Sequence, residues 1–183
     1  LDRTLPDWIP LFGGMEMLAA QVSAVWNPLF ILLLIPVFSY FIYPILGRFI
    51  EITPLAKIAA GLWVAGLAFA MVSIIQIQVD AGYTPSVFWQ VLACLVLTAA
   101  EVLVSITCLE FAYTQAPHSM KSVIMALFLL TVSLGNYLAS GLKFLLVDSQ
   151  GHPLLLGADE FWFWTILVCI AAFSFKFVAS RYE

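Results

Sequence analysis

The 183-residue chain is 63% hydrophobic and 15% aromatic, with only 10% charged residues and a mean hydropathy of +1.05. Soluble domains sit nearer half apolar and a quarter charged, so this composition excludes one and specifies an integral membrane protein of the all-α class. The formal net charge is −4 and no polybasic tract is present, which argues against nucleic acid as a partner.

Charges divide the chain into spans. Uncharged stretches of 31, 22, 20, 21 and 15 residues lie between Glu16 and Arg48, Lys57 and Asp80, Asp80 and Glu101, Lys121 and Lys143, and Glu160 and Lys176. A spanning helix needs about 17–25 apolar residues, and the last stretch lengthens if Lys176 snorkels. Five transmembrane helices are therefore predicted at 21–46, 56–79, 86–112, 120–146 and 159–180. The first has kink positions at Pro28, Pro36 and Pro44, and Asn27 before Pro28 reads as an unwound turn with an exposed amide or as a plain helix-entry cap. Turn residues fall between the spans, at Gly47 and Thr53-Pro54, at 80–85, at 115–119 and at 148–153, with Ser119 placed to cap the fourth helix. Gly61 with Ala65, and Gly135 with Ala139, have the small-residue spacing of close helix packing. Trp8, Trp26, Trp89 and Trp162 read as interface anchors.

Arg48, Lys57, Lys121, Lys176 and Arg181 fall on one side of the membrane, against Arg3 and Lys143 on the other, so the first side and the C-terminus are expected in the cytoplasm of a cell-membrane protein. Residues 1–20 read as an outer loop following a missing helix. The start at Leu1 and the odd helix count predict that the chain is a fragment.

Glu101 lies in the third span with no charged residue within eight positions on either side. A charge at that depth costs about 2.5–3.5 kcal/mol on insertion scales, so such groups face a water-filled path or the bundle interior, where they take up protons or hold cations. Thr98, Glu101, Ser105 and Cys108 recur at the 3–4 spacing of one helical face. Two readings stand open: a cavity-lining face with a titrating carboxyl, or hydroxyls bonded back to their own helix with a neutral, hydrogen-bonded Glu101. Glu110 near the cytoplasmic end of this helix and Lys121 at the start of the next are placed to pair as a gate, or to stand as two solvated charges. His118 and His152 are loop residues, and Cys94, Cys108 and Cys169 lie in apolar runs without CxxC spacing, so no metal site is expected. No dinucleotide, Walker, zincin or hydrolase motif occurs, and an enzyme is not indicated.

The run from Glu101-Val-Leu-Val-Ser105 through Leu109-Glu-Phe-Ala-Tyr-Thr-Gln-Ala-Pro117-His-Ser-Met-Lys-Ser122 closely resembles the tenth helix and following loop of the proton-dependent oligopeptide transporter family, whose pattern is GE(V/M)xxS…LEFxYxQAPxxMKS. Residues 129–136 are similar to that family's eleventh helix, and 26–36 to the start of its eighth. Order and spacing match over roughly residues 20–145. The pattern's Gly before the glutamate is Ala100 here. Many members carry Trp where this chain has Phe128, which keeps a ring and lacks an indole donor.

The resemblance implies a twelve-helix major facilitator fold. Residues 21–183 would supply its C-terminal bundle, helices eight to twelve, and the N-terminal bundle with its ExxER proton-coupling motif would be missing. It implies proton-coupled symport of di- and tripeptides across the bilayer, with the proton as coupling ion and no other cofactor. Glu101 would hold the peptide ammonium, Ser105 would assist, Asn27 would contact the peptide backbone, and Phe128 and Trp26 would border side-chain pockets. The rivals are a family member carrying another small substrate such as nitrate, a structural membrane subunit in which Glu101 is a buried hydrogen-bonding group, and a fragment inactive by itself.

Overall fold

The computed structural model describes residues 19–48, 53–147, 152–179 and 181; the expected outer loop with Trp8, and the centres of the loops at 49–52 and 148–151, lie outside the described residues. Helix α1 (Ala19–Val37) continues through a π-helical turn (Phe38–Ile42) into the short α2 (Tyr43–Leu46). Helix α3 is Pro54–Asp80. Helix α4 (Val87–Glu101) runs through a second π-helical turn (Val102–Ile106) into α5 (Thr107–Gln115). A 3₁₀ turn (His118–Met120) leads into α6 (Lys121–Leu145), and α7 is Ala158–Ala179. Among the described residues, five helical stretches are long and apolar enough to cross a membrane: Ser23–Ile45, Pro54–Asp80, Val87–Gln115, Lys121–Leu145 and Ala158–Ala179. Each predicted span has its counterpart, because the charges that bounded the spans sit at or near helix ends.

Local chemistry sets those ends. Thr53 caps α3 by accepting a hydrogen bond from the Ala56 N–H at 3.2 Å, with Pro54 in the first turn where its missing N–H leaves no gap. Ser86 does the same for α4 through the Phe88 N–H at 3.3 Å. Ser119 does not cap α6: the 3₁₀ turn moves the cap position to Met120, and no side-chain cap bond forms there. Asp80 ends α3 yet serves α7. Its carboxylate accepts from the Ala158 N–H at 3.0 Å and from the Gln76 side-chain amide at 2.8 Å, placing negative charge at the N-terminus of another helix. Gly157 (φ +58°) makes the turn into α7, and a Cβ there would collide with the Asp80 carboxyl.

Helix α1 is continuous through Asn27 and Pro28, so the expected unwound turn is absent. A proline inside a helix removes one hydrogen bond, and the neighbouring turns hold the geometry. The departure from regular α geometry comes later, in the π turn between Pro36 and Pro44.

Packing centres on α3, which lies against both α7 and α4, while α1 lies on the other flank of α4. Between α3 and α7, the buried hydroxyls of Ser73 and Thr165 each donate to the carbonyl four residues back, at 2.9 and 2.8 Å, and face one another at 3.4 Å. Hydroxyl pairs of this kind join apolar helices where no hydrophobic driving force separates lipid from protein. Trp63 packs edge-on against Phe173 at 4.9 Å, and Gly66 gives room to Cys169. Trp26 is not an interface anchor: it is 7% exposed and packs with Phe30 against Val87, Val91 and Cys94. Trp89 and Trp162 remain exposed, as anchors do.

Helix α6 stands apart. It touches α5 and the 3₁₀ turn before it, has no buried residue, and offers open space around Gly135. The close packing expected at Gly135 and Ala139 is thus not formed, whereas Gly61 is buried in a tight crossing. An ion pair at 2.8 Å between Lys143, in the last turn of α6, and Glu160, in the first turn of α7, ties those two ends. Each charge also complements its own helix dipole.

Candidate functional site

Two elements build the site, the middle of α1 and the junction of α4 with the π turn that follows it. Trp26 and Phe30, on either side of Asn27, seat α1 on α4. That seating brings Asn27 to Thr98, whose hydroxyl donates at 2.9 Å to the Asn27 side-chain oxygen and at 2.8 Å to the Cys94 carbonyl. Thr98 is 1% exposed and Asn27 is half-buried. Glu101 lies one turn beyond Thr98 on α4, half-buried, and among the described residues no hydrogen bond or ion pair holds its carboxylate. A hydrogen-bonded amide of α1 thus meets α4 at Thr98, and Glu101, with no partner among the described residues, lies one turn further along α4.

Glu101 is also the last α-helical residue before the π turn. Single π turns inside α-helices widen the spiral and occur often at functional sites. This one changes the expected face. Uninterrupted α geometry aligns Thr98, Glu101, Ser105 and Cys108, but the additional residue in the turn rotates everything beyond it. Thr98 is buried, Glu101 half-buried, Ser105 exposed and Cys108 half-buried again. Ser105, four residues after Glu101, is turned outward.

The other predicted residues lie elsewhere. Phe128 is half-buried on α6, which does not pack against α1 or α4. Glu110 is exposed on α5. Lys121 does not pair with it in this conformation: its ammonium lies 4.2 Å from the centre of the Tyr113 ring, in a cation–π contact. Lys57 makes a similar contact with Tyr43 at 4.0 Å. A cavity of about 200 Å³ among α1, α3, α4 and α7 is lined by Ser23, Phe69, Gln90 and Leu97 with mostly apolar walls, and neither Asn27 nor Glu101 borders it. The link from Thr98 to Asn27 was hidden in the sequence because the two positions are 71 residues apart. The 3–4 spacing of Thr98 from Glu101 was the available signal.

Comparison with known proteins bears on the family and the fold. The family profile described as PTR2: POT family matches residues 11–162. The peptide transporter PTR2 of Saccharomyces cerevisiae is 34% identical over 140 residues, covering 69% of this chain and 23% of that protein. Protein NRT1/PTR family 8.3 of Arabidopsis thaliana is 31% identical over 182 residues, covering 84% of this chain and 31% of its own length. Among solved structures, the crystal structure of an auto-inhibited POT family peptide transporter superposes with a TM-score of 0.76 at 32% identity, over 99% of this chain and 35% of that one. The chain thus spans less than two thirds of these relatives. A profile match over most of the sequence, five spanning helices and a shared fold place this chain, a multi-pass membrane protein, in the POT family of transporters.

Proposed function

We propose that this chain is helices eight to twelve of a proton-coupled transporter of di- and tripeptides, and that it supplies one wall of the central substrate site. The observation that carries the reading is the unclaimed, half-buried Glu101 carboxylate one turn beyond Thr98, which holds the Asn27 amide. A dipeptide zwitterion presents an ammonium and, beside it, an amide carbonyl, so it calls for an anion next to a hydrogen-bonding group. The relatives named as peptide transporters support the same substrate class. Ser105, exposed just beyond Glu101, adds a hydroxyl at the rim, and Phe128 on α6 supplies an aromatic side chain for the peptide's own side chains. The driving force is proton entry, worth about 2.3 kcal/mol per charge per 100 mV of membrane potential. A nitrate carrier is the less favoured reading, because a free carboxylate at the site repels an anion.

Counterflow into vesicles containing the full-length protein tests this. Labelled dialanine is expected to exchange with unlabelled dialanine and not with nitrate. Exchange driven by nitrate alone would replace the peptide reading.

The Lys/Arg asymmetry supports an orientation with the α2–α3 connection and the C-terminus in the cytoplasm. With the three native cysteines replaced, a cysteine at the exposed Thr84 should react with an impermeant thiol reagent added outside intact cells. One at the exposed Gly47 should react only after permeabilisation. The reverse pattern would invert the topology.

A further inference from the structure

We propose that Thr98 is a positioning residue that fixes the Asn27 amide with its NH₂ group turned to the substrate, so that Asn27 serves as a donor to the first carbonyl of the peptide while Glu101 takes the ammonium. The proposal rests on the peptide-transport reading and deepens it. A hydroxyl has one proton and an amide oxygen has none, so across the 2.9 Å contact Thr98 donates and the Asn27 oxygen accepts. The same proton is shared with the Cys94 carbonyl at 2.8 Å, which holds the hydroxyl on the side of its own helix that faces α1. Thr98 is 1% exposed, so solvent does not compete for that proton.

The consequence lies in what remains of the amide. With its oxygen facing buried Thr98, the two N–H donors of Asn27 point away from that contact, and the residue is only half-buried. The seating of Trp26 and Phe30 against Val87, Val91 and Cys94 keeps α1 from rolling and reversing that presentation. The wall then carries a donor from α1, held at Thr98, and an acceptor, Glu101, one turn beyond Thr98 on α4. A free peptide N-terminus offers the complementary order, ammonium first and carbonyl next. The arrangement selects α-amino peptides over amines without a neighbouring carbonyl.

The test uses the full-length transporter in proteoliposomes and dialanine as the probe. Thr98→Val removes the hydroxyl and keeps the shape; it is expected to raise KM about tenfold, the loss of one well-placed hydrogen bond, with maximal rate within about twofold. Thr98→Ser should restore the parental KM. Asn27→Ala should raise KM similarly, and adding Thr98→Val to it should do little more, because Thr98 acts through Asn27. Thr98→Ala guards against a packing defect in the valine variant: it also lacks the hydroxyl, and should show the same tenfold rise whether or not its melting midpoint moves. An analogue of dialanine with its first carbonyl reduced to methylene should bind the parent and Asn27→Ala equally. A parental KM for Thr98→Val or Thr98→Ala, or additive losses in the double variant, would overturn the positioning role. If Glu101→Gln abolishes binding while those variants are silent, only this proposal falls. If Glu101→Gln is silent as well, the peptide site itself is misplaced.

Discussion

In the full-length transporter, Glu101→Gln is expected to remove nearly all dialanine uptake and to weaken the binding of free-amino dipeptides about 10- to 100-fold, the scale of a charge-assisted hydrogen bond lost from a partly dry site. The argument starts from position. Glu101 is 14 residues past Val87, about 21 Å at 1.5 Å per residue, in a helical span that runs from Val87 to Gln115. It therefore sits near the middle of the membrane, where an isolated charge persists only if something neutralises it. Among the described residues nothing does. A substrate ammonium would. Gln keeps the shape and most of the hydrogen bonds and loses only the charge. N-acetylated dipeptides bring no ammonium, so their affinity should fall far less than that of free-amino dipeptides. Measuring both classes on one variant isolates the charge from the rest of the site. Equal, parental affinity for both would show that Glu101 is not where the ammonium binds. In the rival reading, where Glu101 only hydrogen-bonds within the bundle, Gln would lower the melting midpoint and leave uptake intact.

The spans were legible because a lipid-facing helix tolerates few charges, so Arg48, Lys57, Asp80, Lys121, Lys143 and Glu160 mark helix ends almost by themselves. What the sequence concealed were departures from regular geometry. Asn27-Pro28 has a local preference for extended backbone, yet the packing of Trp26 and Phe30 on α4 keeps that stretch helical. The π turn at Val102–Ile106 contains no Pro or Gly to announce it. It arises where α4 passes α3, and it alters which residues share a face with Glu101. Ser119 has the chemistry of a cap and loses the position to a 3₁₀ turn. Asp80 looked like one more loop acid; its role as the cap of α7 depends on a partner 78 residues away. Of the candidate site, the carboxylate was visible as an isolated charge. The hydrogen bond that holds Asn27 to Thr98, one turn before Glu101 on α4, was not, since nothing local links α1 to α4.

The second large effect is expected at Gly61, where α3 crosses the π turn. A Cβ built there would lie 2.6 Å from the Val104 side-chain methyl, 2.8 Å from the Leu103 Cβ and 3.2 Å from the Val104 backbone nitrogen. Two of those three atoms belong to the backbone or its first side-chain carbon, so no change of rotamer clears them. Gly61→Ala must push α3 away from residues 102–106, and overpacking of this kind costs about 1–3 kcal/mol. The expected result is a lower melting midpoint in detergent. Weaker dialanine binding should accompany it, because the displaced turn begins at the residue after Glu101 and carries Ser105. Gly66→Ala, on the same helix, is the matched control. Its nearest new neighbour is the Cys169 sulfur at 3.3 Å, the end of a side chain that can yield, so its midpoint should fall much less and its dialanine affinity should hold. Val104→Ala added to Gly61→Ala should recover part of the loss, and only part, since the Leu103 Cβ and the Val104 nitrogen stay in place. Equal midpoints for the two alanine variants would mean that α3 does not pin the π turn. A destabilised Gly61→Ala with parental affinity would mean that the turn can shift without disturbing Glu101.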